Sequence, residues 1–171
     1  MIRFYTLFVF IFCFIVSPVE AKSVYQTPKG FVNEVFSGNP PKPKTLWLTK
    51  RYMPTIKKIL SHSYRKKRIR YWRGNNKSVW ILEEIGKEKP ITLGIVIEKQ
   101  QIIQLTVLVY REKRGDEVRH RFFTKQFDNA KLKKDLHLDR YIDGISGATL
   151  SVQALQKLAR VALYLDSQTN E

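Results

Sequence analysis

Residues 141–151 read Tyr-Ile-Asp-Gly-Ile-Ser-Gly-Ala-Thr-Leu-Ser and run directly into a helical pattern. Val152, Leu155, Leu158, Ala159, Ala162 and Leu165 recur at three- and four-residue spacing, with Gln153, Gln156, Lys157 and Arg160 on the other side. Ser146-Gly147-Ala148-Thr149 therefore opens an amphipathic helix. The first turn of a helix carries backbone N–H groups without intrahelical acceptors and the positive end of the helix dipole, so it attracts an anion such as a phosphate. Gly147 and Ala148 allow a ligand close to the backbone, and Thr149 presents a hydroxyl at the same point. A Ser/Thr/Gly helix start is equally the ordinary composition of an N-cap, and spacing alone leaves both readings open.

Other chemistry is poorly supplied. His62, His120 and His137 lack the i, i+3 or i, i+4 spacing that sets two imidazoles on one helix face, so no metal site is expected. The sequence has no Gly-x-Ser-x-Gly elbow, no Cys-x-x-Cys-His and no Walker-type phosphate loop. Without an acid/base constellation for a dedicated organic substrate, no catalytic residue is assigned.

The chain has 171 residues, 31 Lys+Arg against 15 Asp+Glu, and a net charge of +16. With 43% hydrophobic residues it is too apolar for a disordered polycation, so a folded domain must carry the charge on its surface. Such an excess points to anionic partners. Met1-Ile2-Arg3, the apolar run Phe4 to Val16 and Val19-Glu20-Ala21 read as a secretory signal peptide over 1–21, cleaved after Ala21. An uncleaved anchor is the alternative, although the run falls short of the ~20 residues of a spanning helix. Either way the domain is expected in the periplasm, or associated with the outer side of the inner membrane. Cys13 lies within the apolar run, so the mature domain has no thiol. Export also makes nucleic acid an improbable partner.

The remaining pattern describes the elements that must position residues 141–151. Residues 22–49 read as an N-terminal helix around Phe31, Val32, Val35 and Phe36 followed by a Pro/Lys linker, and residues 50–171 as the main domain. A helix from Tyr52 to Leu60 tolerates Pro54 in its first turn. Arg65 to Arg73 carries six positive charges, and its alternation from Arg68 to Trp72 fits a strand with a cationic outer face. Gly74 to Lys77 turns the chain into Ser78–Ile85, and Ile91–Glu98 and Gln101–Tyr110 follow as strands on either side of Lys99-Gln100. Val118–Phe122 is expected as a further strand, and the segment from Phe123 to Leu138 as short helix and loop. The fold class is α+β: an antiparallel β-sheet with packed helices and a C-terminal amphipathic helix.

Asp143-Gly144-Ile145-Ser146-Gly147-Ala148-Thr149 resembles the flavinylation motif Asp-x-x-Ser/Thr-Gly-Ala-Thr/Ser of FMN-binding domains, found in membrane-linked redox complexes and exported flavoproteins. Tyr110 to Val118 and Phe122 to Phe127 are similar to the segment preceding the motif in that family, and the similarity covers about Ile91 to Leu165. The resemblance implies FMN joined through its phosphate to the Thr149 hydroxyl, as phosphothreonyl FMN, by a flavin transferase that uses FAD as donor. It implies that Gly147 and Ala148 leave room for the phosphate and that Asp143, with Gly144, is read by the transferase or orients the loop. Ser146 is implied to cap the helix or donate to a phosphate oxygen. Glu112 matches a glutamate often seen in the family, with a plain charged turn as the alternative. Tyr110, Tyr141 and Leu150 are candidate neighbours of the isoalloxazine ring. The function expected is that of an exported flavoprotein relaying electrons to a membrane or periplasmic redox partner. The alternatives are a cationic, noncatalytic binding module of the cell envelope and a flavin-dependent reductase of iron or quinones. On the first reading the charge steers an acidic partner or contacts the membrane surface, so transfer rates measured by stopped flow should fall as ionic strength rises. Salt-independent rates would leave the charge without that role.

Overall fold

Every residue from Ile91 to Ile97 is buried, which requires cover on both faces of the sheet that contains them. A computed structural model describes residues 23–169 and supplies that cover. Strands β1 (Ser23–Val24), β2 (Lys44–Trp47), β3 (Arg68–Gly74), β4 (Lys77–Ile85), β5 (Pro90–Glu98) and β6 (Gln101–Tyr110) form one antiparallel sheet in the order β1-β6-β5-β4-β3-β2. Helix α1 (Pro28–Val35) lies on one face, where Phe31, Val32 and Phe36 pack with Val79, Val96, Leu108 and Val109. Helices α2 (Met53–Leu60) and α4 (Thr149–Ser167) cover the other, over Trp80, Leu82, Ile91, Leu93 and Ile95. The short helix α3 (Arg121–Thr124) sits between 3₁₀ turns at Asp116–Arg119 and Lys125–Phe127. The α+β class expected from the pattern is the one observed.

Local chemistry sets the element ends. Thr27 Oγ1 accepts from the Gly30 N–H at 3.0 Å and Pro28 follows it, so α1 begins with a capping hydroxyl and a pre-set φ. Asn75-Asn76 (φ 52° and 60°) and Lys99-Gln100 (φ 48° and 60°) are two-residue hairpin turns with both central residues left-handed, the twist that antiparallel strands prefer. Asn tolerates this backbone; Lys and Gln do so less readily, and Gln100 is held by its amide, which donates to Asp166 Oδ2 at 2.5 Å.

Asp166 fixes α4 over the sheet. Its side chain is buried and also accepts from Ser78 Oγ at 2.5 Å and Arg73 Nη2 at 2.7 Å, while Trp80 Nε1 donates to the same Ser78 oxygen. Arg73, the last cation of the basic run, thus turns inward, whereas Arg68 and Arg70 are exposed beside buried Ile69 and Tyr71, as the alternation requires.

Two expectations change. Val118–Phe122 is helical rather than a strand, because β1 occupies the free edge of β6 through Ser23–Tyr110 and Val24–Val109 pairing. The segment instead turns at Gly115 (φ 85°) and buries Val118, Phe123 and Phe127 under the sheet. Strand β2 lies where the Pro/Lys linker was expected and pairs Lys44–Trp47 with Arg68–Tyr71. The expected signal peptide and Cys13 lie outside the described residues. Among those described, no helix is long and apolar enough to cross a membrane.

Gly94 has a specific packing role. A methyl group there would lie 2.6 Å from Cδ1 and 2.8 Å from Cζ of the Phe31 ring. Gly94→Ala should therefore lower unfolding free energy by about 1–3 kcal/mol through forced displacement of α1, measurable by urea titration. An unchanged midpoint would show that Phe31 is not seated on the sheet.

Candidate functional site

The approach to α4 is a turn built around Gly147. The Ala148 N–H donates to Ile145 O at 3.0 Å, and Gly147, with φ 79°, supplies the left-handed residue the turn requires. A Cβ at Gly147 would meet nothing within 4 Å, so the glycine answers to backbone conformation and not to lack of space. Ala148 is small for a different reason. It is buried, and a Cβ placed on Gly115 (φ 85°) would be 3.0 Å from the Ala148 Cβ, so the turn after β6 packs directly on it.

Ala148, and not Ser146, is the N-cap residue of α4, and no side chain caps the helix. The first helical bond runs from the Val152 N–H to Ala148 O at 2.9 Å, which leaves the N–H groups of the opening turn without intrahelical acceptors. Thr149 is the first helical residue and is exposed. It lines a cleft of about 520 Å³ together with Lys87 and Glu88 from the β4–β5 turn and Glu112, Lys113 and Arg114 from the end of β6. Gly147, Ala148, Leu150 and Ser151 complete it. Three cations, a hydroxyl and a helix start fit a phosphate with a polar chain attached.

Glu112 shapes this cleft by holding the neighbouring turn. Its Oε1 accepts the backbone N–H groups of Lys87, Glu88 and Lys89 at 2.6, 2.8 and 3.0 Å. Gly86 permits the approach, since a Cβ there would lie 2.9 Å from the same oxygen. Partial burial pushes the Glu112 carboxyl up, but the three N–H donors outweigh it and hold the group below the usual carboxylate range. Beneath the cleft, burial pushes the Tyr110 hydroxyl up and keeps it protonated. It donates to Arg114 O at 2.6 Å, so Ser151 Oγ, 2.9 Å away, donates to it in turn. Tyr110 is therefore a buried strut between β6 and α4 and does not line the cleft.

Of the residues singled out by sequence, Thr149, Gly147, Ala148 and Glu112 converge on one cleft. Asp143, Gly144 and Ser146 stay on the exposed loop that leads to it. Asp143 is fixed there through its backbone N–H, which donates to Gln126 Oε1 at 2.8 Å, and Gly144 has open space where a Cβ would be. Tyr141 is 84% exposed and lines the far side of the loop. Sequence reading missed Lys87, Lys113 and Arg114, which come from turns whose composition marks only a bend. Among the described residues, no group of His, Cys, Asp and Glu could hold a metal ion.

Residues 86–164 match the family model described as FMN-binding domain. The chain carries an FMN-binding domain. The match opens at Gly86, which lets the β4–β5 turn reach Glu112, and extends almost to the end of α4. No curated protein and no solved structure gave a match. FMN is the cofactor, and the cleft fits it: the uncapped turn and the three cations suit its phosphate, and the polar walls suit its ribityl chain.

Glu112→Ala should release the 86–89 turn of the FMN-binding domain, at a cost of about 1 kcal/mol because the freed N–H groups can reach water. Hydrogen exchange should quicken at the amides of Lys87, Glu88 and Lys89. The carboxyl titrates lower in the folded state than its ordinary 4.5, so its stabilisation is complete above that value and disappears as pH falls through the folded one. The stability gap between wild type and variant should then close on acidification; a gap that persists at low pH would contradict the bonding described.

Proposed function

We propose that this FMN-binding domain carries its FMN as a phosphoester of Thr149 and serves as an exported electron relay. The observation that carries the reading is exposed Thr149 on an uncapped helix start, lining one cleft with Lys87, Lys113 and Arg114. In the attachment, Thr149 exchanges its hydroxyl proton for the FMN phosphoryl group of FAD, and AMP leaves. Lys113, Arg114 and the first-turn N–H groups offset the charge of the phosphodiester that results. The exposed loop holding Asp143, Gly144 and Ser146 is open to a transferase, in keeping with a motif read by another protein.

Once bound, the flavin supplies one- and two-electron chemistry, and the protein sets its position, charge environment and access. Of the two carboxylates lining the cleft, Glu112 is committed to three backbone donors and kept ionised, and Glu88 is an exposed side chain of the 86–89 turn. That favours electron relay over a reductase with its own proton-transfer machinery. Export rests on the N-terminal sequence pattern, and the cationic surface favours an acidic redox partner or an anionic membrane surface.

Intact mass after co-expression with a flavin transferase tests attachment. The wild-type chain should gain FMN minus water, and Thr149→Ala should lose the adduct while remaining folded by circular dichroism. An adduct that survives in Thr149→Ala would place the bond elsewhere and overturn the reading.

A further inference from the structure

Apart from Gly147, Ala148 and Leu150, the cleft at Thr149 is lined by charged or hydroxyl-bearing residues. Next to it lies a second hollow of about 660 Å³ with a different lining. The 86–89 turn borders both: Ile85 and Pro90, which flank that turn, line the second hollow, while Lys87 and Glu88 line the first. They are also joined along α4. Leu150 lines the Thr149 cleft and Lys157 lines the hollow. Seven residues apart, they fall on the same stripe of the helix, about 10 Å from one another, with exposed Gln153 between them.

The hollow offers larger apolar side chains than the cleft. Tyr64, Ile85 and Pro90 give it apolar walls, and Ile85 is 45% exposed, as is Leu150 on the path leading in. Arg65, Lys66 and Lys157 place positive charge on its rim. Glu84, buried on the same strand, pairs with His62 Nε2 at 2.8 Å, so the one deeply buried carboxyl of the hollow already has a partner. Tyr64 is 93% buried by its 7% exposure, and its hydroxyl makes no hydrogen bond; the Glu83 backbone N–H faces it without reaching hydrogen-bond geometry. Burial pushes that hydroxyl well above the ordinary phenol range, so it stays neutral. An unsatisfied buried polar group in the wall of such a hollow is uncommon in a purely structural surface.

We propose that this hollow seats the isoalloxazine ring of the FMN anchored at Thr149, with Tyr64, Ile85 and Pro90 packing on the ring and Lys157 supplying positive charge at its edge. The proposal rests on the Thr149 attachment read above. Residues 62–66 and 83–85 precede the matched span 86–164, so these contacts belong to this chain's own N-terminal half. A cation at the ring favours the electron-rich reduced cofactor and therefore raises its potential. An aromatic side chain in contact with the ring quenches its fluorescence.

The test uses the full-length flavinylated protein, with adduct mass measured first in every variant. Lys157→Met should shift the midpoint potential to more negative values, whereas Lys134→Met, an exposed lysine lining neither hollow, should not. Tyr64→Phe should increase the fluorescence of the bound flavin, and Ile85→Asp, at a half-exposed position, should shift its visible absorption towards that of flavin in water. Absence of the adduct from the wild type means that attachment itself fails. An intact adduct with potential, fluorescence and absorption unchanged in all three hollow variants means that the ring lies elsewhere, and overturns this proposal alone.

Discussion

The position of the Thr149 cleft depends on one buried carboxylate at the opposite end of its helix. Asp166 accepts hydrogen bonds from β3, β4 and the β5–β6 turn at once, through Arg73, Ser78 and Gln100. These three donors meet it from separate segments, so the C-terminal end of α4 has a single azimuth and a single height over the sheet. A rigid helix transmits that setting along its length, about 25 Å for seventeen residues at 1.5 Å each. The apolar stripe from Val152 to Leu165 supplies the burial that drives α4 onto the sheet, and this burial does not discriminate well between neighbouring positions. The charged, directional contacts at Asp166 do. Leaving such a carboxylate buried without its donors would cost far more than losing one apolar contact.

At the other end, the site is assembled by contacts that suit only small residues. Gly86 lets the β4–β5 turn close on Glu112, and Gly115 lets the turn after β6 close on Ala148. Tyr110 and Ser151 tie the two together from below. The cleft walls are therefore three turns held in mutual contact by one carboxylate, one phenol and two glycines. The FMN-binding match begins at Gly86, where this assembly begins. Strands β1 and β2, from the chain before the match, close the two edges of the sheet and lend it the rigidity the turns need.

Much of this was legible in the sequence, for identifiable reasons. Hairpin strands from Arg68 to Tyr110 announce themselves by alternation or β-branched runs, and the α4 stripe by helical spacing. Thr149 at the helix start follows from where that stripe begins. What sequence left hidden is non-local. Nothing local marks Asp166 as the meeting point of three elements, or Glu112 as the acceptor of three N–H groups twenty-three to twenty-five residues away. Val118–Phe122 looked like a strand because its residues favour strands, yet the only edge open to it was already taken by two residues near the start of the described chain. Gly147 and Ala148 were legible as small residues, but the reason for each differs: one serves a left-handed turn and the other a close helix contact.

The charge, too, divides once contacts are seen. Residues 128–142 form an irregular segment with a lone β-bridge between Leu132 and Leu138, and such a segment leaves carbonyls that need donors. Arginines provide them: Arg140 donates to Asp128 O at 2.6 Å and Asn129 O at 2.9 Å, and Arg160 donates to Leu136 O at 2.6 Å. Arg111 likewise donates to Pro90 O at 2.8 Å and Thr92 Oγ1 at 3.0 Å, bracing the start of β5. With Arg73 bound to Asp166, four arginines are structural donors. A guanidinium does this better than an ammonium because its planar fork can serve two oxygens at once. The positive charge left to act at a distance is carried mainly by exposed lysines and by the outer face of β3, where Arg68 and Arg70 point to solvent. That separates two roles which the net charge of +16 conflates: Arg140 and Arg160 brace the segment that leads to Thr149, and the exposed lysines, with Arg68 and Arg70, set the field an approaching anion meets.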